Sequence, residues 1–295
     1  GERTNMTEIL ATLAQLSVLV FVIGSMASMG LSLKISQIVA PLKNVKLVVW
    51  ALVANFVLVP LAAFLITKII PLDEPVQIGL ILLSAAAGAP FLPKLAEAAK
   101  GSTAFSVGLM VLLMVVTIVY LPLVLPLLLG GGVEVNPWDI AQSLIVMMLI
   151  PLGIGLLVNA RYEETAAKVQ PTFGQASNIA LLVLTVLGLV LNFRAMIDLV
   201  GSLGILAGII FIVISLVIGF LLGMLGSPDG GIRSVMGLGT AQRNVSAALV
   251  VAAQNFDSNV ITYVMVIAVI SLVVLMPAAG ELGMRAASAS AETLA

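Results

Sequence analysis

From Ser102 to Leu129 the chain runs through 28 consecutive residues without a charged side chain. About 20 apolar residues suffice to cross the hydrocarbon core of a bilayer. Inside lipid every backbone N–H and C=O must be satisfied within the protein, which leaves helices and closed barrels as the spanning structures. Further apolar runs, bounded by charge, Pro or Gly, cover Glu8–Leu33, Val45–Ile70, Val76–Lys100, Trp138–Ala160, Ala176–Phe193, Leu199–Leu225, Gly231–Phe256 and Ser258–Met284. The ten-residue alternation of a membrane barrel is missing from them. The expected fold class is therefore all-α, a polytopic membrane protein with nine transmembrane helices. A charged fraction of 9% agrees with this, since ordinary soluble domains carry about 25%.

Histidine and cysteine are both absent. Disulfides, thiolate nucleophiles, Cys/His zinc sites and imidazole acid–base chemistry are thereby excluded, and no cofactor is implied. A net charge of −1 gives no sign of nucleic-acid binding. No protein partner is implied either; the partner that the composition requires is the lipid bilayer. Gly1 to Thr7 lack the charged-then-apolar pattern of a signal peptide, and this end is read as processed and left out of the fold argument.

Basic residues orient the spans, because cytoplasmic loops are enriched in Lys and Arg. With the N-terminus outside and the C-terminus cytoplasmic, the inner side receives Lys34, Lys43, Lys46, Lys100, Arg161, Lys168, Arg233 and Arg285, and the outer side Arg3, Lys68 and Arg194. The opposite orientation reverses the bias. The expected location is the cell (inner) membrane, with an organelle envelope as the alternative. Lys94 and Arg243 are left over. Lys94 lies in GAPFLPKLAEAAKG after Pro90 and Pro93, and Arg243 in GLGTAQRN after Gly237 and Gly239. Proline removes a donor and clashes with the preceding turn, and glycine weakens a helix, so both runs read as helices broken near mid-membrane.

The Gly- and Pro-containing stretch LGGGVEVNPWD divides the chain into a first repeat, residues 8–130, with four helices, and a second, residues 138–284, with five. The broken helix, 76–100 in one and 231–256 in the other, is the last but one in each. Interrupted helices at corresponding positions point to the binding site of a secondary transporter built as an inverted repeat.

The residues at this point resemble the bile acid:sodium symporter (BASS) family. GSMASMGLSLKISQ (Gly24 to Gln37) is similar to its GMGL stretch and LVANFVLVPLAAFL (Leu52 to Leu65) to its AQFxxMPxxA helix. AKGSTAFSVGL (Ala99 to Leu109) is similar to ARGNxALSV, and QRNVSAALVVAAQNF (Gln242 to Phe256) to QNSGLAxALA. The resemblance implies two broken helices that cross at mid-membrane, and core and panel domains that are each discontinuous across both repeats. The core would hold the spans around Val45–Leu129 and Ala176–Phe256, and the panel Glu8–Leu33 and Trp138–Ala160. Substrate would lie in the cleft between them. Loss of the first helix of ten-helix members would leave nine.

The departures bear on ion coupling. Where sodium-coupled members carry a Ser-Asn pair at the first break, this chain has Leu92 and Pro93, followed by Lys94. Where they carry a Glu four residues before a Gln at the second break it has Gly239 and Arg243, and a threonine ligand aligns with Met110. Asn55, aligned with a Gln contributor, and Ser106 are retained. Sodium, a hard cation, needs several oxygen ligands. At ~4 Å and an effective dielectric of about 20, two unit charges repel by about 4 kcal/mol. Both sodium sites are therefore expected to be lost, with no metal bound and Lys94 and Arg243 standing in for the two cations. Half-helix N-termini would add partial positive charge.

The expected function is alternating-access transport of a small organic anion, a carboxylate-bearing solute, without sodium. Sodium-coupled symport and, more remotely, a channel stay open as alternatives. An enzyme is not expected, for no convergent acid–base set is present. The candidate substrate-binding or crossover residues are Asn244, Arg243, Lys94, Gln242, Thr240, Ser246, Asn55 and Pro93. For Arg243 the readings are a tether to helix-end carbonyls or direct substrate contact. For Lys94 the competing reading is neutralisation by Glu97, three residues on and on the same helical face. Asn55, Thr240, Gln242 and Ser246 carry helix-packing alternatives.

Overall fold

The computed structural model describes residues 2–130, 136–191 and 193–294. Every regular element among the described residues is helical. Helix α1 (Glu2–Ser32) is followed by the short α2 (Ile35–Val39) and a 3-10 turn, Ala40–Lys43. Helices α3 (Val45–Val53) and α4 (Val59–Ile69) form one rod through the π turn Ala54–Leu58. Next come α5 (Glu74–Ala85), α6 (Leu92–Ala98) and α7 (Thr103–Leu129). In the second part α8 (Pro137–Leu144) and α9 (Ile150–Arg161) are again joined by a π turn, Ile145–Leu149. Then follow α10 (Glu163–Leu191), α11 (Phe193–Gly201), α12 (Gly204–Gly226), α13 (Gly230–Ala241), α14 (Val245–Asn255) and α15 (Ser258–Leu294).

Six helices among the described residues are long and apolar enough to cross a membrane: Thr12–Ser32, Val45–Ile69, Thr103–Leu129, Pro137–Arg161, Gly204–Gly226 and Ser258–Ser288. The expected runs 76–100 and 231–256 are each split, into α5 with α6 and α13 with α14. At about 1.5 Å of rise per residue no half spans a bilayer alone. The boundary expected between the repeats includes residues 131–135, which lie outside the described residues.

The breaks sit elsewhere than the helix breakers alone suggest. Residues 86–91 are irregular in the first, so the chain leaves the helix before Pro90, and Pro93 occupies the first turn of α6, where its missing N–H costs nothing. In the second, Gly237 and Gly239 remain helical in α13 and the interruption falls on residues 242–244. There the glycines serve packing. A Cβ on Gly237 would lie 3.2 Å from the Leu216 carbonyl oxygen, and one on Gly239 2.9 Å from Leu92 Cδ2.

The π turn before Pro60 has a traceable cause. Pro60 has no N–H to give the Phe56 carbonyl one turn back. The Tyr120 hydroxyl of α7 donates to that oxygen instead, at 2.7 Å, and the Phe56 and Tyr120 rings pack with centroids 4.8 Å apart.

Helix α1 lies along α10 and α9, the most extensive contacts it makes. Its seam with α9 is closed by small residues: a Cβ on Gly30 would fall 2.3 Å from the Leu152 carbonyl oxygen, and one on Gly155 2.7 Å from that of Ala27. Such stripes let backbones approach where lipid removes the hydrophobic drive for helix pairing. Of the segment Ala176–Phe193, expected among the core spans, residues 176–191 are continuous with α10 from Glu163, and α10 packs on α1. The Ser177 hydroxyl donates to Phe21 O at 2.8 Å, and Gln170 Nε2 to Ser28 Oγ at 2.9 Å. Those polar contacts, invisible in an apolar pattern, decide its neighbour.

Gly30→Leu should destabilise the protein by at least about 1–3 kcal/mol through overpacking, read as a lower thermal midpoint in detergent. Gly153→Ala on α9, where an added Cβ meets nothing within 4 Å, should leave the midpoint unchanged or raise it.

Candidate functional site

At the first break the backbone polar groups are taken up by other elements, as a low-dielectric surrounding requires. Thr117 on α7 uses one hydroxyl twice, accepting from Ala87 N at 2.9 Å and donating to Ala87 O at 3.0 Å. Gly88 has φ +84°, a conformation that favours glycine, and a Cβ there would come within 2.2 Å of Met114 N. The second break then closes on the first. Asn244 N donates to Ala86 O at 2.9 Å and Asn244 Nδ2 to Gly88 O at 3.0 Å, while Asn244 Oδ1 caps α14 by accepting from Ala247 N at 3.0 Å.

Arg243 is 4% exposed and binds three segments together. Its Nε donates to Leu83 O at 3.0 Å and its Nη2 to Ser84 O at 2.6 Å, both in the last turn of α5. Leu83 O also takes the Ala86 N–H at 3.2 Å, and both carbonyls carry the partial negative charge of a helix C-terminus. Nη1 donates to Asn55 Oδ1 at 2.8 Å and to Thr240 O at 2.9 Å. Asn55, in the π turn, in turn donates through Nδ2 to Ala51 O at 3.0 Å and Thr240 Oγ1 at 3.2 Å. One cation thus ties the π turn, the end of α5 and the end of α13.

The structure brings Arg243, Asn244, Thr240 and Asn55 together and leaves Lys94 out. The Lys94 side chain is 73% exposed on α6 and lies 3.7 Å from Glu97 Oε2. A position three residues beyond the irregular segment has turned it away, so its ammonium lies beside Glu97 and not at the junction of the breaks. Pro93 is likewise part of the α6 first turn. At the positions aligned with sodium ligands, Leu92 and Met110 are buried apolar side chains, and Leu92 fills the space beside Gly239. Ser106 donates its hydroxyl to Thr103 O at 2.6 Å within α7.

Beside the crossing lies a cavity of about 610 Å³. Gln242 and Ser246 line it, with Pro90 and Phe91 from the first break, Ser25 of α1, and Ser177 and Asn178 of α10. A further wall is an apolar face of α15 that includes Met265, Val266, Val269 and Leu272, joined by Phe21 of α1, Leu181 of α10 and Leu249 of α14. Sequence reasoning missed Thr117, Tyr120, Ser177 and Asn178. The first two carried a signal: a hydroxyl pair three residues apart on one face of the otherwise apolar stretch 107–129. Ser177 and Asn178 carried none, because only the fold brings α10 to this cavity.

The fold and crossing define a polytopic helical membrane protein with paired interrupted helices, an arrangement common among secondary transporters. The family model of the Sodium Bile acid symporter family matches residues 18–200, and the chain belongs to that family. It is 26% identical over 148 residues to the Probable sodium/metabolite cotransporter BASS3, chloroplastic, of Arabidopsis thaliana, an alignment covering 50% of this chain and 34% of the relative. It is 28% identical over 152 residues to the Probable sodium/metabolite cotransporter BASS2, chloroplastic, of Oryza sativa subsp. japonica, covering 50% and 36%. Against the Uncharacterized sodium-dependent transporter YocS of Bacillus subtilis (strain 168) identity is 26% over 143 residues, covering 48% and 44%. The chain thus matches less than half the length of these curated relatives.

Arg243→Met strands Ser84 O and Asn55 Oδ1 and leaves Leu83 O with the Ala86 N–H alone, and should cost at least about 3 kcal/mol. Because Asn55 is a shared partner, the loss on adding Asn55→Leu should fall well short of the sum of the single losses; denaturation of the four proteins in detergent measures this. Thr117→Val removes both bonds to Ala87 at nearly constant volume and should cost about 1–3 kcal/mol, with Thr117→Ser retaining most of the stability.

Proposed function

We propose that the protein is a secondary transporter of a small organic anion, working by alternating access without sodium. The observation that carries this reading is the buried guanidinium of Arg243 at the junction of two interrupted helices, bonded to Asn55 Oδ1 at 2.8 Å. A fixed cation there supplies positive charge that a sodium-coupled relative would draw from bound ions. Leu92 beside Gly239 puts hydrocarbon where carboxylate and amide oxygens would coordinate sodium. Arg243 takes this role alone, since Lys94 is paired with Glu97 away from the crossing. The fixed charge beside a cavity open to the N-terminal turn of α14 favours a carboxylate in the cleft.

In this reading nine spans cross the membrane: the six long helices, the two interrupted ones and α10. The N-terminus is outside and the C-terminus cytoplasmic in a cell (inner) membrane, or the equivalent in an organelle envelope. The chloroplastic names of the plant relatives favour the second setting. The panel contains α1, α9 and α10, and moves against the helices that carry the crossing.

The printed names of the relatives favour a second reading, sodium-coupled symport. Uptake of carboxylates into proteoliposomes separates the two: equal initial rates in Na⁺ and K⁺ media are expected. A rate driven by an inward Na⁺ gradient would overturn sodium independence, and conductance at channel rates would overturn the carrier mechanism.

A further inference from the structure

The hydrogen bonds sort the helices into two sets. Within the first, α1, α8, α9 and α10, Ser177 bonds Phe21 O, Gln170 bonds Ser28, and Asn159 bonds Leu33 O just past α1. Within the second, the helices that carry the crossing, Arg243, Asn244, Asn55, Thr117 and Tyr120 bond one segment to another. Among the described residues one side chain bonds from set to set, Gln254 near the end of α14. Its Oε1 accepts from the Ser143 hydroxyl of α8, and its Nε2 donates to Met147 Sδ in the adjoining π turn at 3.4 Å.

The link stands at one end of the cavity. Val245, Ser246 and Leu249 of α14 line the cavity together with Phe21 and Ser25 of α1, and α14 packs on both α1 and α8. Gln254 lies about 7.5 Å beyond Leu249 along the helix axis, on the side away from the crossing. The opposite end of the first set, at Arg161, is about 27 Å along the rod from Ser143. There Lys34, between α1 and α2, pairs with Glu163 of α10 at 2.7 Å, and α2 packs on α7.

Gln254 is exposed, as are the neighbouring Asp257 and Ser258, so water takes over its bonds when they break. The Arg243 bonds have no such exchange, because they are buried and opening them leaves bare polar groups. The Ser143 hydroxyl is also 2.7 Å from Asp139 O, an acceptor in its own helix that keeps it satisfied after release. Met147 Sδ is a weak acceptor. Each part of the link can therefore open at small cost, as a contact broken in every cycle must. We propose that Gln254 is a latch between the two sets of helices: bonded to Ser143 and Met147 it closes the cavity toward the end where α8 begins, and its release opens the cavity to solute from that end. This rests on the alternating-access reading given above and supplies the contact that the motion breaks.

The chain has no native cysteine, so introduced thiols report position directly. In proteoliposomes, Ser25→Cys on the cavity wall is labelled with a membrane-impermeant maleimide, and Asp139→Cys, near the start of α8, identifies the face on which α8 begins. With Gln254 intact, Ser25→Cys is expected to react faster from the opposite face. Adding Gln254→Leu should raise its rate from the α8 face at least about fivefold. Ser143→Ala should give a smaller rise, and Gln254→Glu, which keeps an acceptor for Ser143, should stay closer to wild type. In a second measurement Ser143→Cys/Gln254→Cys is bridged by a short, reducible bis-methanethiosulfonate; carboxylate uptake should stop on bridging and return on reduction. Labelling rates unmoved by Gln254→Leu, or uptake that continues through the bridged protein, would overturn the latch while leaving the carrier reading intact. Gln254-dependent labelling in a protein that takes up no carboxylate would support the latch and overturn the anion reading. Equal labelling of Ser25→Cys from both faces, with conductance at channel rates, would overturn the latch and alternating access together.

Discussion

The structure depends on a full positive charge buried in a membrane-spanning bundle. An arginine at mid-helix costs roughly 2.5–3.5 kcal/mol to insert, and among the described residues no carboxylate pairs with Arg243. Its compensation comes from dipoles: two carbonyls at the end of α5, one at the end of α13, and the amide oxygen of Asn55. Each acceptor lies where a helix is interrupted or widened and so has capacity to spare. The breaks make the cation affordable, and the cation makes the breaks tolerable.

This mutual requirement extends outward. Ala87 and Thr117 exchange two hydrogen bonds, Asn244 reaches across to Ala86 and Gly88, and Tyr120 takes the carbonyl released by Pro60. The first break and the π turn before Pro60 are thereby answered by side chains from other elements. The cavity has no comparable closure. Its α15 wall is apolar apart from Thr262, and its opposite wall carries Gln242 and Ser246.

Lys94 and Arg243 separate what pattern can and cannot tell. Both are basic residues in interrupted apolar runs, and sequence put them in one role. The structure buries Arg243 and exposes Lys94, because the first interruption ends before α6 and the helical turn carries Lys94 toward Glu97. Break positions were displaced for a similar reason. Gly237 and Gly239 are helix-weakening in isolation, yet packing against Leu216 and Leu92 keeps them helical, and the chain yields three residues further on.

The sequence by itself determined the all-helical membrane class, the family, the presence of an interruption in each half and Arg243 as the charge that had to be explained. Those follow from run length, the cost of charge in lipid and motif order, which are properties of single segments. Tertiary structure alone decided which cation the junction of the breaks holds, that α10 packs along α1, and that Gln242 and Ser246 line one cavity. Each of these depends on which surfaces meet, and an apolar helix fits lipid or many neighbours equally well until a few hydrogen bonds and close glycine contacts choose one.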